Sequence, residues 1–330
     1  MLLKTIPIFF TFNNNYVEPA CVAFYSLLNS AKENVFYKMY VLHSDITKEK
    51  QQLLTDIVNK KNNGDLSFIN TETFMENNWE KGNFEGHNKR TQFTKDTILK
   101  CFGAKFFPQY DKIIYSDVDI VVVDDISELY NMDVKDKYLL GVKNPFMKCY
   151  KNELSHLQKE YYETLKDSYL GGGIWVMNLQ KIREDNIEEK MIDIINNDSI
   201  VKRWPDQDII NIACQNKVGF IPLNYISYPY LIDILKIPDF ISHYTKEELY
   251  DSIINPKIIH FAGIKPWNNN PNYSSLWWTY FNYLNLEKTC IFKDINDKKL
   301  KKYRKLFRIF LIISIIFAII SLILLVLRCL

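Results

Sequence analysis

Short apolar runs alternate with amphipathic stretches through the first 130 residues, and this alternation restricts the possible folds more than any other feature. The runs at 5–12, 36–42, 66–69 and 112–115 have strand length and are rich in aromatic and β-branched residues. Between them, the spacing of Ala20, Val22, Ala23 and Leu27 predicts a helix over 18–30. The segment TKEKQQLLTDIVNK predicts another over 47–60, with Thr47 as its cap. A third helical stretch, 94–107, stops before Pro108. Strands separated by helices pair in parallel, with the helices covering both faces of the sheet. Ligands of such open sheets bind beyond the carboxyl ends of the strands.

Composition excludes several classes. With 47% hydrophobic and 15% aromatic residues in 330, the chain has ample material for a core and is not disordered. Residues 288–308 carry nine Lys or Arg against Asp294 and Asp297, a local balance of +7 within a chain total of +2. The remainder is therefore mildly acidic at −5, which argues against nucleic acid as the main partner. Six cysteines, at 21, 101, 149, 214, 290 and 329, form no CxxC pair, as expected of reduced thiols rather than a zinc site or disulfide frame.

The expected domain division is 1–287 as a catalytic body, 288–308 as a basic juxtamembrane segment, 309–327 as a transmembrane helix and 328–330 as a tail. The run 309–327, IFLIISIIFAIISLILLVL, is uncharged and apolar all round, with Ser314 and Ser321 its only polar side chains. At about 1.5 Å per residue it reaches roughly the thickness of the hydrocarbon core. Positive charge before the span and only Arg328 after it predict a single-pass C-terminal anchor in the inner (cytoplasmic) membrane, with the body facing the cytoplasm. The N-terminal apolar run is too short for a signal peptide, and no cleavage-type residues follow it.

The segment YSDVDIVVV (115–123) spends two charges where a buried strand ends, with a second strand-like piece at 120–123. Residues i and i+2 of an extended segment point the same way, so Asp117 and Asp119 converge. Converging carboxylates repel unless a cation lies between them, and hard oxygen ligands suit Mg²⁺ or Mn²⁺ bridging to phosphates. The spacing alone fits two solvated turn residues equally well.

The residues around this pair resemble glycosyltransferase family 8. The resemblance is carried by YDKIIYSDVDIVVVDDISELY (110–130), YLGGGIWVMNLQKIRE (169–184), WPDQDIINIA (204–213) and IIHFAGIKPW (258–267), four motifs in family order. It implies a GT-A type α/β fold and retaining transfer of a hexose from a nucleotide sugar with Mn²⁺, Mg²⁺ being the alternative ion. Bacterial members often build lipopolysaccharide. The resemblance makes His260 the third metal ligand beside Asp117 and Asp119, and neutral imidazole in such a set favours a transition ion. It makes Asp206 and Gln207 the residues beside the sugar, with Gln207 stabilising an oxocarbenium-like state. It implies donor contacts at Asn13, Asn15, Tyr16, Lys100, Asp117, Val118, Asp119, Gly171, Gly263 and Lys265. Tyr16 would stack on the base, Gly263 would admit a phosphate, and Lys265 would neutralise it.

The chain departs from the family pattern at several of these positions. Asn13 stands where an acid is usual, Lys100 where an arginine is usual, and Gly171 where an asparagine is usual. The last change removes one hydrogen bond to the donor sugar. The spacing from Gly263 to Lys265 is one residue shorter than usual. The reading is a metal-dependent retaining hexosyltransferase moving galactose or glucose from a UDP-sugar to a glycan or glycolipid acceptor. A catalytically silent sugar-nucleotide or glycan-binding protein on the same fold would also account for the departures. A nucleotidyltransferase would need a glycine- and basic-rich triphosphate loop early in the chain, and NNNYVEP is not one.

Overall fold

The computed structural model describes residues 3–78, 95–144, 163–165, 167–197, 204–215, 217–236 and 238–286. The expected basic segment and membrane span fall outside these residues. Among the described residues, no helix is long and apolar enough to cross a membrane.

Seven strands form the central sheet: β1 (Lys4–Thr11), β2 (Val35–His43), β3 (Gly64–Asn70), β4 (Lys112–Ser116), β6 (Leu139–Lys143), β7 (Leu170–Asn178) and β8 (Val218–Phe220), in the order β3-β2-β1-β4-β7-β6-β8. A separate antiparallel pair joins β5 (Ile120–Val122) to β9 (Ile258–His260). The expected mainly parallel sheet is present. β7 runs antiparallel to both β4 and β6, while β6 and β8 pair in parallel. The strand-like piece after the two aspartates also leaves the main sheet and pairs with β9 instead.

Side chains alternate cleanly between two cores. On β1, Ile6, Ile8 and Phe10 face one core and Phe9 the other. On β7, Ile174 and Val176 face the first, and Trp175 and Met177 the second. Both faces are therefore dry, which is why these strands read as nearly continuous apolar runs. The first face is covered by the helix Val17–Ser30, whose Ala20, Ala23, Phe24 and Leu27 join that core. The helix Lys48–Val58 follows, with the Thr47 hydroxyl accepting the Lys50 N–H at 3.4 Å as the sequence predicts. The opposite face is covered by residues 98–107 and by the helices Ile187–Asn196 and Pro205–Ala213. The expected helix over 94–107 is a succession of short turns, Lys95–Ile98, Leu99–Phe102 and Gly103–Phe106. Cys21, Cys101 and Cys214 are buried free thiols.

Along β6 the register with β7 jumps from Gly141 opposite Trp175 to Lys143 opposite Leu170. Residues 171–173, three successive glycines, thereby leave the ladder with β6. They turn their backbone toward the carboxyl end of β4, where the Asp117 N–H donates to the Gly173 carbonyl at 2.9 Å.

Candidate active site

Asp117 follows β4 and Asp119 precedes β5, with the Val118 side chain between them packed into the core. The β5–β9 pairing sets Ile120 against His260, and the Asp119 carbonyl accepts the Phe261 N–H at 2.9 Å. This fixes the imidazole beside both carboxylates. His260 Nε2 lies 3.4 Å from Asp117 Oδ2 and 3.2 Å from Asp119 Oδ1. One donor atom from each of the three residues falls within 4.8 Å of the others. The two aspartates thus converge as their spacing predicts.

The donor set fits a divalent cation. Two carboxylate oxygens and one imidazole nitrogen are a mixed set suited to Mn²⁺ or Mg²⁺. Positive charge leans into the point where they meet. Lys265 sets its ammonium on Asp119 Oδ2 and also donates to the Phe261 carbonyl at 3.0 Å. Burial alone would raise the Asp119 carboxyl, but Lys265 and His260 hold it well below the usual carboxylate range. Burial would likewise disfavour a charged imidazole, yet Asp119 and Asp117 push His260 up to about 9. The other ring nitrogen, Nδ1, is buried without a hydrogen-bond partner. The ring is held by packing instead, since a Cβ on Gly173 would lie 2.5 Å from Nδ1.

Lys100 joins this centre to the helix Pro205–Ala213. It is 2% exposed, and its Nζ sits 2.9 Å from Asp117 Oδ1, 2.7 Å from Asp206 Oδ2 and 3.2 Å from the Gly172 carbonyl. The rings of Tyr115 and Trp175 lie 5.0 and 5.5 Å from the ammonium. Burial would favour neutral lysine, but Asp117 and Asp206 keep it charged, with its pKa well above the ordinary value. A compact ammonium thus bridges two carboxylates by itself and needs no guanidinium fork. Asp206 starts its helix after Pro205 at the first position. A Cβ on Gly172 would lie 2.8 Å from Asp206 Oδ2 and 3.1 Å from the Gln207 side chain, so close approach of the strand requires glycine there. Gln207 Oε1 accepts a hydrogen bond from Asn144 Nδ2 at 3.0 Å.

The N-terminal loop reaches the same region. The Asn13 side chain accepts the Asn15 N–H at 3.1 Å and starts the turn Asn14–Tyr16, while Asn15 itself is exposed. Tyr16 packs edge-on against Trp267 with centroids 6.1 Å apart. Burial raises its phenol pKa, and Lys265, Asp119 and Asp117 all act on it electrostatically. Gly263 has φ +79°, a left-handed conformation suited to glycine. Gly171 ends the glycine run near Asn144 and Tyr228.

Every residue expected at the site is therefore described, and Asp117, Asp119, His260, Lys100, Asp206 and Lys265 form one connected network. Several participants were not predicted. The Tyr115 hydroxyl donates to Asp117 Oδ1. The i, i+2 rule that paired the aspartates extends back to this tyrosine. Trp175, Trp267 and Asn144 carry no comparable signal in the sequence. Asp125 lies just ahead of the turn Ser127–Asn131 and is 5% exposed, and it accepts the Lys32 N–H at 3.0 Å, the Ser127 N–H at 3.0 Å and the Ser127 hydroxyl at 2.5 Å.

The chain belongs to glycosyl transferase family 8, whose model matches residues 7–271. It is similar to the lipopolysaccharide 1,2-glucosyltransferase of Escherichia coli, 31% identical over 120 residues, which span 34% of this chain and 33% of that protein. It is also similar to general stress protein A of Bacillus subtilis strain 168, 29% identical over 133 residues, 39% of this chain and 46% of that protein. The matched segments thus cover less than half of either relative. Among solved structures, the bifunctional glycosyltransferase WbbM in its apo form superposes with TM-score 0.71 at 22% identity, covering 89% of this chain and 51% of that one. The galactosyltransferase LgtC in complex with donor and acceptor sugar analogues superposes with TM-score 0.68 at 18% identity, covering 86% and 98%. At these identities the structures speak for the fold.

Proposed function

We propose that the chain is a metal-dependent retaining hexosyltransferase that moves galactose or glucose from a UDP-sugar to a glycan or glycolipid acceptor, in lipopolysaccharide or surface-glycan synthesis. The observation that carries this reading is the Lys100 ammonium set between Asp117 and Asp206. It couples a cation-binding carboxylate to a carboxylate at the start of the helix that bears Gln207. A diphosphate binds at the first and a sugar lies against the second, so the bond to be broken falls between them.

Asp117, Asp119 and His260 would hold the ion, Mn²⁺ or Mg²⁺. A bound divalent ion supplies neutralisation of the diphosphate as it leaves. Lys265 is released from Asp119 to add its charge to a phosphate, beside a left-handed Gly263 that leaves room for one. Tyr16 stacks on the base. Asp206 and Gln207 face the sugar, and the amide stabilises positive charge developing at the anomeric carbon. The names of a related glucosyltransferase and a structurally similar galactosyltransferase support a hexose donor. The uncharged run 309–327 behind a basic segment supports a membrane anchor, with Lys and Arg worth about 1 kcal/mol each against anionic headgroups.

The test is release of UDP from UDP-glucose and UDP-galactose with and without Mn²⁺. Slow Mn²⁺-dependent hydrolysis of one donor, accelerated by acceptor, is expected. Donor binding without UDP release at any Mn²⁺ concentration would replace the transferase with a sugar-nucleotide-binding protein.

A further inference from the structure

Gly171 removes a side chain from the sugar side of the site, and β6 sends one back into the same place. A Cβ built on Gly171 would lie 3.7 Å from Asn144 Cβ, 3.7 Å from the Val142 carbonyl and 3.5 Å from the Tyr228 hydroxyl. A side chain at 171 would therefore start beside that of Asn144 and share its space. Asn144 follows directly after β6, and its N–H donates to the Tyr169 carbonyl at 2.8 Å, which locks its backbone to the start of β7. From there its amide reaches across the glycine to Gln207 Oε1 at 3.0 Å.

We infer that Asn144 is a positioning residue for the sugar-facing amide of Gln207, supplying from β6 the carboxamide that β7 lacks at Gly171. This rests on the transferase reading above. The physical reason is geometric. Gln207 sits in the first turn of its helix with three rotatable bonds, and it is only half-buried. Its contact with Gly172, where a Cβ would lie 3.4 Å from Nε2, limits one side of the amide. The hydrogen bond from Asn144 fixes the plane from the other side. With Oε1 held, Nε2 is left as a donor for a sugar hydroxyl. A side chain at 171 would begin in van der Waals contact with that of Asn144, so the two positions are adjacent sources of one group.

That adjacency makes the inference testable by exchange. Asn144→Ala, Gly171→Asn and the double variant Asn144→Ala/Gly171→Asn would be compared with wild type, using Mn²⁺-dependent hydrolysis of UDP-glucose and UDP-galactose. UDP binding, followed by calorimetry, serves as the control, since UDP lacks the transferred hexose. Asn144→Ala should lower kcat at least tenfold and leave the Kd for UDP within twofold. The double variant should recover at least threefold over Asn144→Ala. A double variant no better than Asn144→Ala would overturn the exchange, and wild-type turnover in Asn144→Ala would overturn the positioning role. A parallel loss of UDP affinity would reduce Asn144 to a structural residue and overturn it as well. Wild type that hydrolyses neither donor would bring down the transferase reading, and this inference with it.

Discussion

Two pairs of aspartates stand five residues apart along the chain, and the buried acid of the second, Asp125, is satisfied differently from the first. Among the described residues, the carboxylates of Asp117 and Asp119 meet the side chains of Lys100, Lys265, His260 and Tyr115. Asp125 is met by two backbone N–H groups and a serine hydroxyl, with the exposed Lys32 ammonium 3.7 Å away, while Asp124 lies 63% exposed beside Lys257 at 2.7 Å. Backbone donors are part of the fold and cannot leave, whereas side-chain ammonium groups can be exchanged for another cation. A carboxylate held by backbone serves architecture. One held by mobile cations is available for chemistry.

The largest expected effect tests the first pair. Asp119→Asn keeps the size of the side chain and removes the charge, so turnover should fall by a factor of about 10³ or more while the melting temperature moves by only a few degrees. Turnover measured against added Mn²⁺ decides it, and undiminished activity would make the two pairs equivalent. The next effect tests the second pair. Asp125→Asn places an NH₂ or a weaker acceptor among three buried donors, and should lose about 1–3 kcal/mol of stability while the folded fraction keeps its activity. Asp124→Asn serves as the contrast, with a change below about 1 kcal/mol as for exposed pairs. Denaturant melts read both, and equal losses would remove the distinction between backbone-held and surface carboxylates.

A pH-dependent effect concerns another carboxylate, Glu188, which also rests on backbone. It accepts the Ala104 and Lys105 N–H groups at 2.8 and 3.2 Å. Burial nevertheless pushes it up to about 7 against that help. Its folded value lies above the unfolded one, near 4.5, so the fold favours the protonated form. That contribution is complete below about pH 4.5 and is lost as pH rises through 7. Glu188→Gln keeps an acceptor oxygen and no longer titrates. Its stability relative to wild type should therefore rise by about 2.5 kcal/mol between pH 5 and pH 8. A difference independent of pH would show that backbone donors alone keep this carboxylate at ease.

The sequence foretold the sheet where local pattern decides and missed it where pairing decides. β1 and β4 were legible because both faces of each are buried, which writes an apolar run into the chain, while β2 and the edge strand β3 were legible from short runs that are buried on one face or only half-buried. The antiparallel direction of β7 was not legible, since direction follows from which neighbour a strand meets. The convergence of Asp117 and Asp119 followed from the two-residue period. His260 could be joined to them only through its motif, because the β5–β9 register has no local signature. Lys100 was expected as a charge but not as a bridge between two carboxylates. The burial of Asp125 has no local signature, because its partner N–H, on Lys32, is 93 residues away in sequence. Asn144 follows a strand, and no periodicity announces it.

The glycine run of β7 has one more consequence. A methyl group at Gly172 would touch Asp206, and one at Gly173 would touch His260, so adjacent peptides of a single strand serve as the gauge for both halves of the centre. Neither half can be tuned alone by moving that strand. A slip of a few tenths of an ångström would shift the acid helix and the histidine together, and the spacing between leaving group and sugar would survive it. The chain has built its two working parts on one datum, so that errors in placement are shared rather than opposed.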